Sequence, residues 1–184
     1  MSGPGQVVLL DAEAGVVGAM DKLAAHQRAV RHLAFSVMLR DDDGAILLQR
    51  RAEAKYHFAG RWSNACCSHP RPDESVTAAA RRRVREELGA ACGPLAVSGA
   101  FWYRADDPAS GLVEHEYDVV LVGAAAALTS YAPDPAEVDD LRFVQPTVVR
   151  AALEQRPQQF TPWLAQVLDV TDGGGAPVVA DIPV

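Results

Sequence analysis

The chain has 184 residues, 49% hydrophobic and 22% charged, which fits one compact domain with a real core and excludes disorder or a fibrous repeat as its main state. Lys and Arg number 17 against 24 Asp and Glu, a net charge of −7, so no chain-wide field draws nucleic acid and an anionic ligand needs placed cations or metal ions. No apolar stretch reaches the ~20 residues that span a bilayer, Met1-Ser2-Gly3-Pro4-Gly5 lacks the pattern of a secretory signal, and Cys66, Cys67 and Cys92 make no disulfide framework. The expectation is a cytoplasmic chain with neither a membrane nor a nucleic-acid partner.

Residues 6–11 read as a strand, followed by a turn at Gly15 and a second apolar piece at 16–20. Residues 32–39 and 45–49 flank Asp41-Asp42-Asp43-Gly44 and predict a hairpin. Residues 62–70 carry turn formers without periodicity and read as a loop, the kind of segment where functional residues concentrate. The clearest element is a helix over 75–88: Asp73 or Ser75 caps it, Val76, Ala80, Val84 and Leu88 recur every four residues, and Gly89 ends it. Residues 101–104 and 113–122 read as strands around Asp106-Asp107-Pro108, and 137–143, 147–154 and 161–170 supply shorter elements between prolines. The Gly-rich tail of residues 171–184 offers no closing helix and is expected to be mobile.

Glu114-His115-Glu116 lies inside a predicted strand, so the two carboxylates share one face and His115 points away. Paired carboxylates repel unless a metal, a shared proton or cations relieve them; solvation on an exposed edge is the plainer alternative. His26, His32 and His69 are candidates to complete a nitrogen and oxygen site for zinc, manganese or magnesium, against the alternative of a surface His26 and a satisfied core His32. His57 and His115 read as structural, as do Cys66 and Cys92. Glu74, Arg82, Val84, Glu86, Glu87 and Gly89 give two Arg–Glu pairs one helical turn apart, Arg82 with Glu86 and Arg83 with Glu87.

The spacing of those helix residues resembles the Nudix box, whose acidic residues bind magnesium and through it a diphosphate. Ser68 stands where that box begins with Gly, and Arg83 where it has the Glu important for hydrolysis. Ser63-Asn64-Ala65-Cys66-Cys67-Ser68-His69-Pro70, His32-Leu33-Ala34-Phe35-Ser36, Arg50-Arg51, Glu114-His115-Glu116 and Thr161-Pro162-Trp163 fall in order over residues 6–168. Together they resemble the type 1 isopentenyl-diphosphate delta-isomerases of the Nudix superfamily, the Cys66-Cys67 variant looking more like eukaryotic members. Phe58-Ala59-Gly60 replaces that family's aromatic-Pro-Gly turn, and five residues separate His26 from His32, one fewer than in bacterial members.

The resemblance implies an α/β (α+β) fold of Nudix type, a mixed sheet sandwiched between helices, in a single domain over residues 1–170. It implies a metal-dependent conversion of isopentenyl diphosphate to dimethylallyl diphosphate through a tertiary carbocation. Protonating an unactivated alkene needs an acid in a pocket that excludes water, with an electron-rich group facing the cation. Cys67 matches the catalytic thiol, Glu116 the second acid or base, Tyr103 its assistant and Trp163 the aromatic face. His26, His32, His69, Glu114 and Glu116 match a site for a divalent ion (zinc, manganese or magnesium). Glu87 matches a ligand of the magnesium ion that bridges the diphosphate. Lys22, Arg51, Lys55, Ser68 and Arg83 match the diphosphate clamp. The implied partner is a small prenyl diphosphate, the chain acting as a monomer or weak homodimer. A cyclase of longer prenyl diphosphates, a Nudix diphosphate hydrolase and a non-catalytic binding module are the rivals.

Overall fold

The computed structural model describes residues 5–125, 131–179 and 182–183. Strands β1 (Gln6–Leu10) and β2 (Val16–Asp21) form an antiparallel hairpin whose turn is tied by the Asp11 carboxylate, which accepts from the backbone N–H groups of Glu13 and Gly15. Asp21 then caps the short helix α1 (Lys22–Gln27) by accepting from Ala24 N at 2.9 Å. Ala29, at a left-handed φ of 52°, ends that helix and turns the chain into β3 (His32–Arg40). The tight exit spans the five residues between His26 and His32.

Every residue of β3 except Arg40 is buried, the signature of a central strand. The turn expected after it forms, with Asp41 N bonded to Ala45 O at 2.9 Å, but β3 and β4 (Ile46–Arg51) pair only at Arg40↔Ile46. The predicted hairpin is thus a corner. A strand buried on both faces finds longer partners: β3 runs parallel to β8 (Leu112–Ala124) from His32↔Glu116 to Arg40↔Ala124 and pairs on its other side with β6 (Cys66–Ser68). Meanwhile β4 pairs with β5 (Trp62–Asn64) and β9 (Val138–Val144). Residues 62–70, expected to be a loop, contribute the two short strands β5 and β6, because their buried polar groups bond inward: Asn64 donates to the carbonyls of Val37 and Cys66.

The longest ladder joins β7 (Ala96–Asp107) to β8, with Tyr103 opposite Glu116. Helix α2 (Val76–Leu88) packs Val76, Ala79, Ala80, Val84 and Leu88 on one face of the sheet, against Leu33, Phe35, Val37, Val119 and Leu121. Ser75 caps it by accepting from Ala78 N, and Gly89 closes it at φ 65°, where a Cβ would lie 2.2 Å from the Ala132 carbonyl oxygen. Helices α3 (Pro146–Gln155) and α4 (Leu164–Asp169) cover the other face through Val149, Leu164, Val167 and Leu168, against Met38, Ile46, Leu48 and Val120. The result is the expected α+β architecture, a mixed sheet between helices.

The glycine-rich tail lies along this sheet: Ala176 bridges Ala100, Tyr117 donates to the Pro177 carbonyl, and Val76 N donates to Pro183 O beside the buried Ile182. Residues 180, 181 and 184 of that tail, Met1 to Pro4 and residues 126–128 of the apolar run after β8 lie outside the described residues. Among the described residues no helix is long and apolar enough to cross a membrane.

Candidate active site

Three strands write the centre of the site in one row. Register sets Tyr103 of β7, Glu116 of β8 and His32 of β3 side by side, and alternation along β8 puts Glu114, Glu116 and Asp118 on the same face. The exposed-edge alternative for the two glutamates is therefore excluded: both are buried, with side chains 4% and 6% exposed. His32 Nε2 lies 3.2 Å and His69 Nε2 2.7 Å from Glu116 Oε1, and the Tyr103 hydroxyl donates to Glu116 Oε2. His26, fully buried rather than on the surface, brings Nε2 to 2.8 Å from Glu114 Oε2.

One ligand atom from each of His26, His32, His69, Glu114 and Glu116 lies within 4.8 Å of all the others. The donor set fits a divalent cation. His26 Nδ1 sits 2.6 Å from Lys22 O and His32 Nδ1 2.7 Å from Val30 O, contacts that make those nitrogens donors and direct each Nε2 at the carboxylates, where it donates when protonated and can ligate a cation when not. His26 Nε2 and Glu114 Oε2, although close, are not aligned as a hydrogen bond and have no other partner, as expected of two groups aimed at a third. Burial pushes the His69 imidazole well below its usual range, helped by Lys22, His32 and His26, so it is neutral and able to ligate. Burial works against the Glu116 carboxylate, but His32 and Tyr103 overcome it and hold its pKa at about 2.

Beside this cluster opens a pocket of about 200 Å³ that collects Lys22, Arg51, Lys55, Cys67, Ser68, His69, Arg83, Tyr103, Glu114, Glu116 and Trp163. Cys67 stands on β6 with its sulfur accepting from Trp163 Nε1 at 3.2 Å and its S–H directed to Asn64 Oδ1 at 3.0 Å. Desolvation raises this thiol to about 11, so it carries its proton at neutral pH. Trp163 is itself buried, edge-on to Phe58 at 5.4 Å and 5.8 Å from the Tyr103 ring. Cys66 points into the core on the α2 side, as the alternation of β6 requires, and Cys92 is buried there too.

Glu87 does not line the pocket. It is buried behind Arg83, whose Nη2 donates to Glu87 Oε1 at 2.6 Å, while Gln49 Nε2 donates to Oε2 at 3.1 Å. Gln49 Oε1 is buried without a partner beside this carboxylate, an acceptor that a water of a hydrated magnesium ion would satisfy. The two predicted helix pairs form, Arg82–Glu86 at 3.2 Å and Arg83–Glu87.

Sequence reading missed two residues. His57, taken as structural, brings Nε2 to 2.7 Å from Glu114 Oε1; its position depends on the loop from Ala52 to Gly60. There Phe58 adopts a left-handed φ of 46°, held by Asp107, which accepts from its N–H, and by Arg51, which donates to its carbonyl. No periodic pattern announces such a loop. Glu137 enters the same pocket and pairs with Lys55 and Arg83, and its only signal in sequence was its place between two prolines and a strand. His115 bonds the Ala29 carbonyl away from the cluster, consistent with a structural role.

The NUDIX domain family matches residues 30–164. The chain is 50% identical over 167 residues to an isopentenyl-diphosphate Delta-isomerase of Nocardia farcinica, covering 90% of this chain and 94% of that one. Similar enzymes of Halorhodospira halophila and Streptomyces griseus are 44% and 47% identical, each match covering 88% of this chain and respectively 92% and 80% of theirs. These relatives are bacterial, whereas the CCSHP variant with Glu114-His115-Glu116 suggested a likeness to eukaryotic members. In fold, a crystallised protein of Deinococcus radiodurans superposes with a TM-score of 0.71 at 18% identity, over 89% of this chain and 96% of that one. A NUDIX hydrolase from Nitrosomonas europaea gives 0.57 at 20% identity, over 79% and 92%. The fold and the match over residues 30–164 define a NUDIX domain protein. Within that superfamily the chain belongs to the isopentenyl-diphosphate Delta-isomerases.

Proposed function

We propose that this protein interconverts isopentenyl and dimethylallyl diphosphate by moving one proton onto the alkene and another off the neighbouring carbon, with Cys67 and the Glu116–Tyr103 pair as the two proton-handling groups. The observation that carries this reading is the shared pocket: a protonated thiol, an ionised carboxylate and an indole line the same cavity as Lys22, Arg51, Lys55 and Arg83.

In the forward direction the Cys67 S–H bond breaks and its proton adds to the terminal methylene carbon, leaving a tertiary cation and a thiolate. Trp163 Nε1–H and the Ser63 hydroxyl, 3.2 and 3.4 Å from the sulfur, stabilise the negative charge there. Glu116 then takes a proton from the adjacent methylene as the double bond forms, and the Tyr103 hydroxyl keeps that carboxylate aimed. The Trp163 and Tyr103 rings give the cation an electron-rich wall and keep water out. Lys22, Arg51, Lys55, Arg83 and Ser68 hold the diphosphate, which answers the net charge of −7. A divalent ion held by Glu87 would neutralise diphosphate oxygens, and one among His26, His32, His69, Glu114 and Glu116 would fix the Glu116 carboxylate.

Arg83 stands where a hydrolase would carry a carboxylate, which argues against attack of water on phosphorus. Purified protein incubated with isopentenyl diphosphate should produce an acid-labile allylic diphosphate without releasing inorganic phosphate. Phosphate release with no allylic product would overturn the reading in favour of hydrolysis.

A further inference from the structure

Glu137 is an anion in a place built for anions. Its carboxylate, carried on the connection from β8 to β9, lines the pocket and is 26% exposed. One oxygen accepts from Lys55 Nζ and the other from Arg83 Nη2 at 3.0 Å. Arg83 also serves Glu87, at 2.6 Å. Two of the four cations that would grip a diphosphate are thus already paired with carboxylates. Among the described residues, Lys22 and Arg51 have no carboxylate at ion-pair distance, although Glu114 and Glu116 act on Lys22 from further off.

A carboxylate in contact with two clamp cations lowers the attraction of the pocket for a bare diphosphate, because like charges a few ångströms apart in a partly buried site repel. The repulsion disappears when the incoming anion brings a divalent cation of its own, which the carboxylate then faces with favourable sign. We infer that Glu137 makes the clamp selective for the magnesium-bound diphosphate over the bare anion, acting as a specificity-determining residue that no proton transfer requires. This rests on the diphosphate reading of the pocket given above.

A purely structural Glu137, one that only aligns Lys55 and Arg83, makes the opposite forecast, since its loss would weaken binding of both forms. Inorganic pyrophosphate is the probe, titrated calorimetrically into the intact protein with magnesium withheld and again with magnesium saturating. Glu137→Gln should bind bare pyrophosphate about tenfold more tightly than the wild type does, while affinity for the magnesium form stays equal or falls, so the preference for the metal-bound form collapses. Glu137→Asp, which keeps the charge, should retain the preference. Should Glu137→Gln not fold, Glu137→Ala removes the same charge and is read the same way. A folded, charge-free variant that binds bare pyrophosphate no more tightly than wild type overturns the inference. Wild-type protein that binds neither form overturns the diphosphate reading itself, and the inference with it.

Discussion

Replacing Tyr103 by Phe removes one oxygen from the centre of the site and leaves the ring in place between Phe101, at 5.6 Å, and Trp163, at 5.8 Å. The hydroxyl donates to Glu116 Oε2, while His32 and His69 both approach Oε1, so no other hydrogen-bond donor reaches Oε2 among the described residues. A hydrogen bond to a buried charged group is worth about 1.5–3 kcal/mol. If that bond aims the carboxylate through the proton transfer, its loss lowers kcat by about 10- to 150-fold. The phenol touches none of the clamp cations, so KM for the diphosphate substrate should stay within about twofold of wild type. Steady-state kinetics with a coupled assay for the allylic product reads both constants, and a thermal melt checks that the isosteric ring keeps the fold. A Tyr103→Phe enzyme with wild-type kcat would refute the role given to the Tyr103–Glu116 pair. So would a change confined to KM.

Cys67→Ala should reduce turnover by about 10³-fold or more while metal content, read by elemental analysis, stays unchanged; full activity would remove the thiol from the proton path. Chelation should lower the melting temperature by several degrees, because Glu114 and Glu116 are buried side by side and repel without a cation; an identical melt with and without chelator would contradict a metal in the His–Glu cluster. Glu137 is held at about 2: burial pushes its pKa up, but Lys55 and Arg83 bring it well below the usual carboxylate range. A depressed carboxylate stabilises the fold above its unfolded pKa of about 4.3, and that contribution is lost as pH falls towards 2. Urea unfolding should therefore show Glu137→Gln less stable by about 1–2 kcal/mol at pH 7, after allowance for solvent screening, with the gap narrowing below pH 4.5; a gap independent of pH would contradict the ion pairs.

Much of this site was legible because strands and helices convert spacing into geometry. The alternation of Glu114 and Glu116 survives as a shared buried face, and the four-residue repeat of Val76, Ala80, Val84 and Leu88 as the packed stripe of α2. What failed to show were features set by distant partners. The apolar run 32–39 suggested a hairpin arm, yet a strand buried on both faces pairs with β8 and β6, and only a long-range register brings His32 beside Glu116. Residues 62–70 look like a loop because Ser63 and Asn64 are polar; they are buried strand residues whose side chains hold the Cys67 sulfur and its neighbouring backbone. His57 depends on a left-handed Phe58, and Glu137 on a connection with no periodic signal. The tail's glycines gave no hint of where it lies: Gly99 and Gly175 allow the close approach that seats Ala176 against Ala100.

In the proposed reaction one proton is added to the alkene and another removed within this pocket. Proton NMR of the protein with isopentenyl diphosphate and magnesium in deuterated water tests it most directly. The expected product is dimethylallyl diphosphate carrying deuterium in the methyl group formed from the terminal methylene, with exchange at the adjacent carbon on return to isopentenyl diphosphate. Product formed with no deuterium, or substrate left intact and unlabelled by a metal-loaded protein, would contradict it.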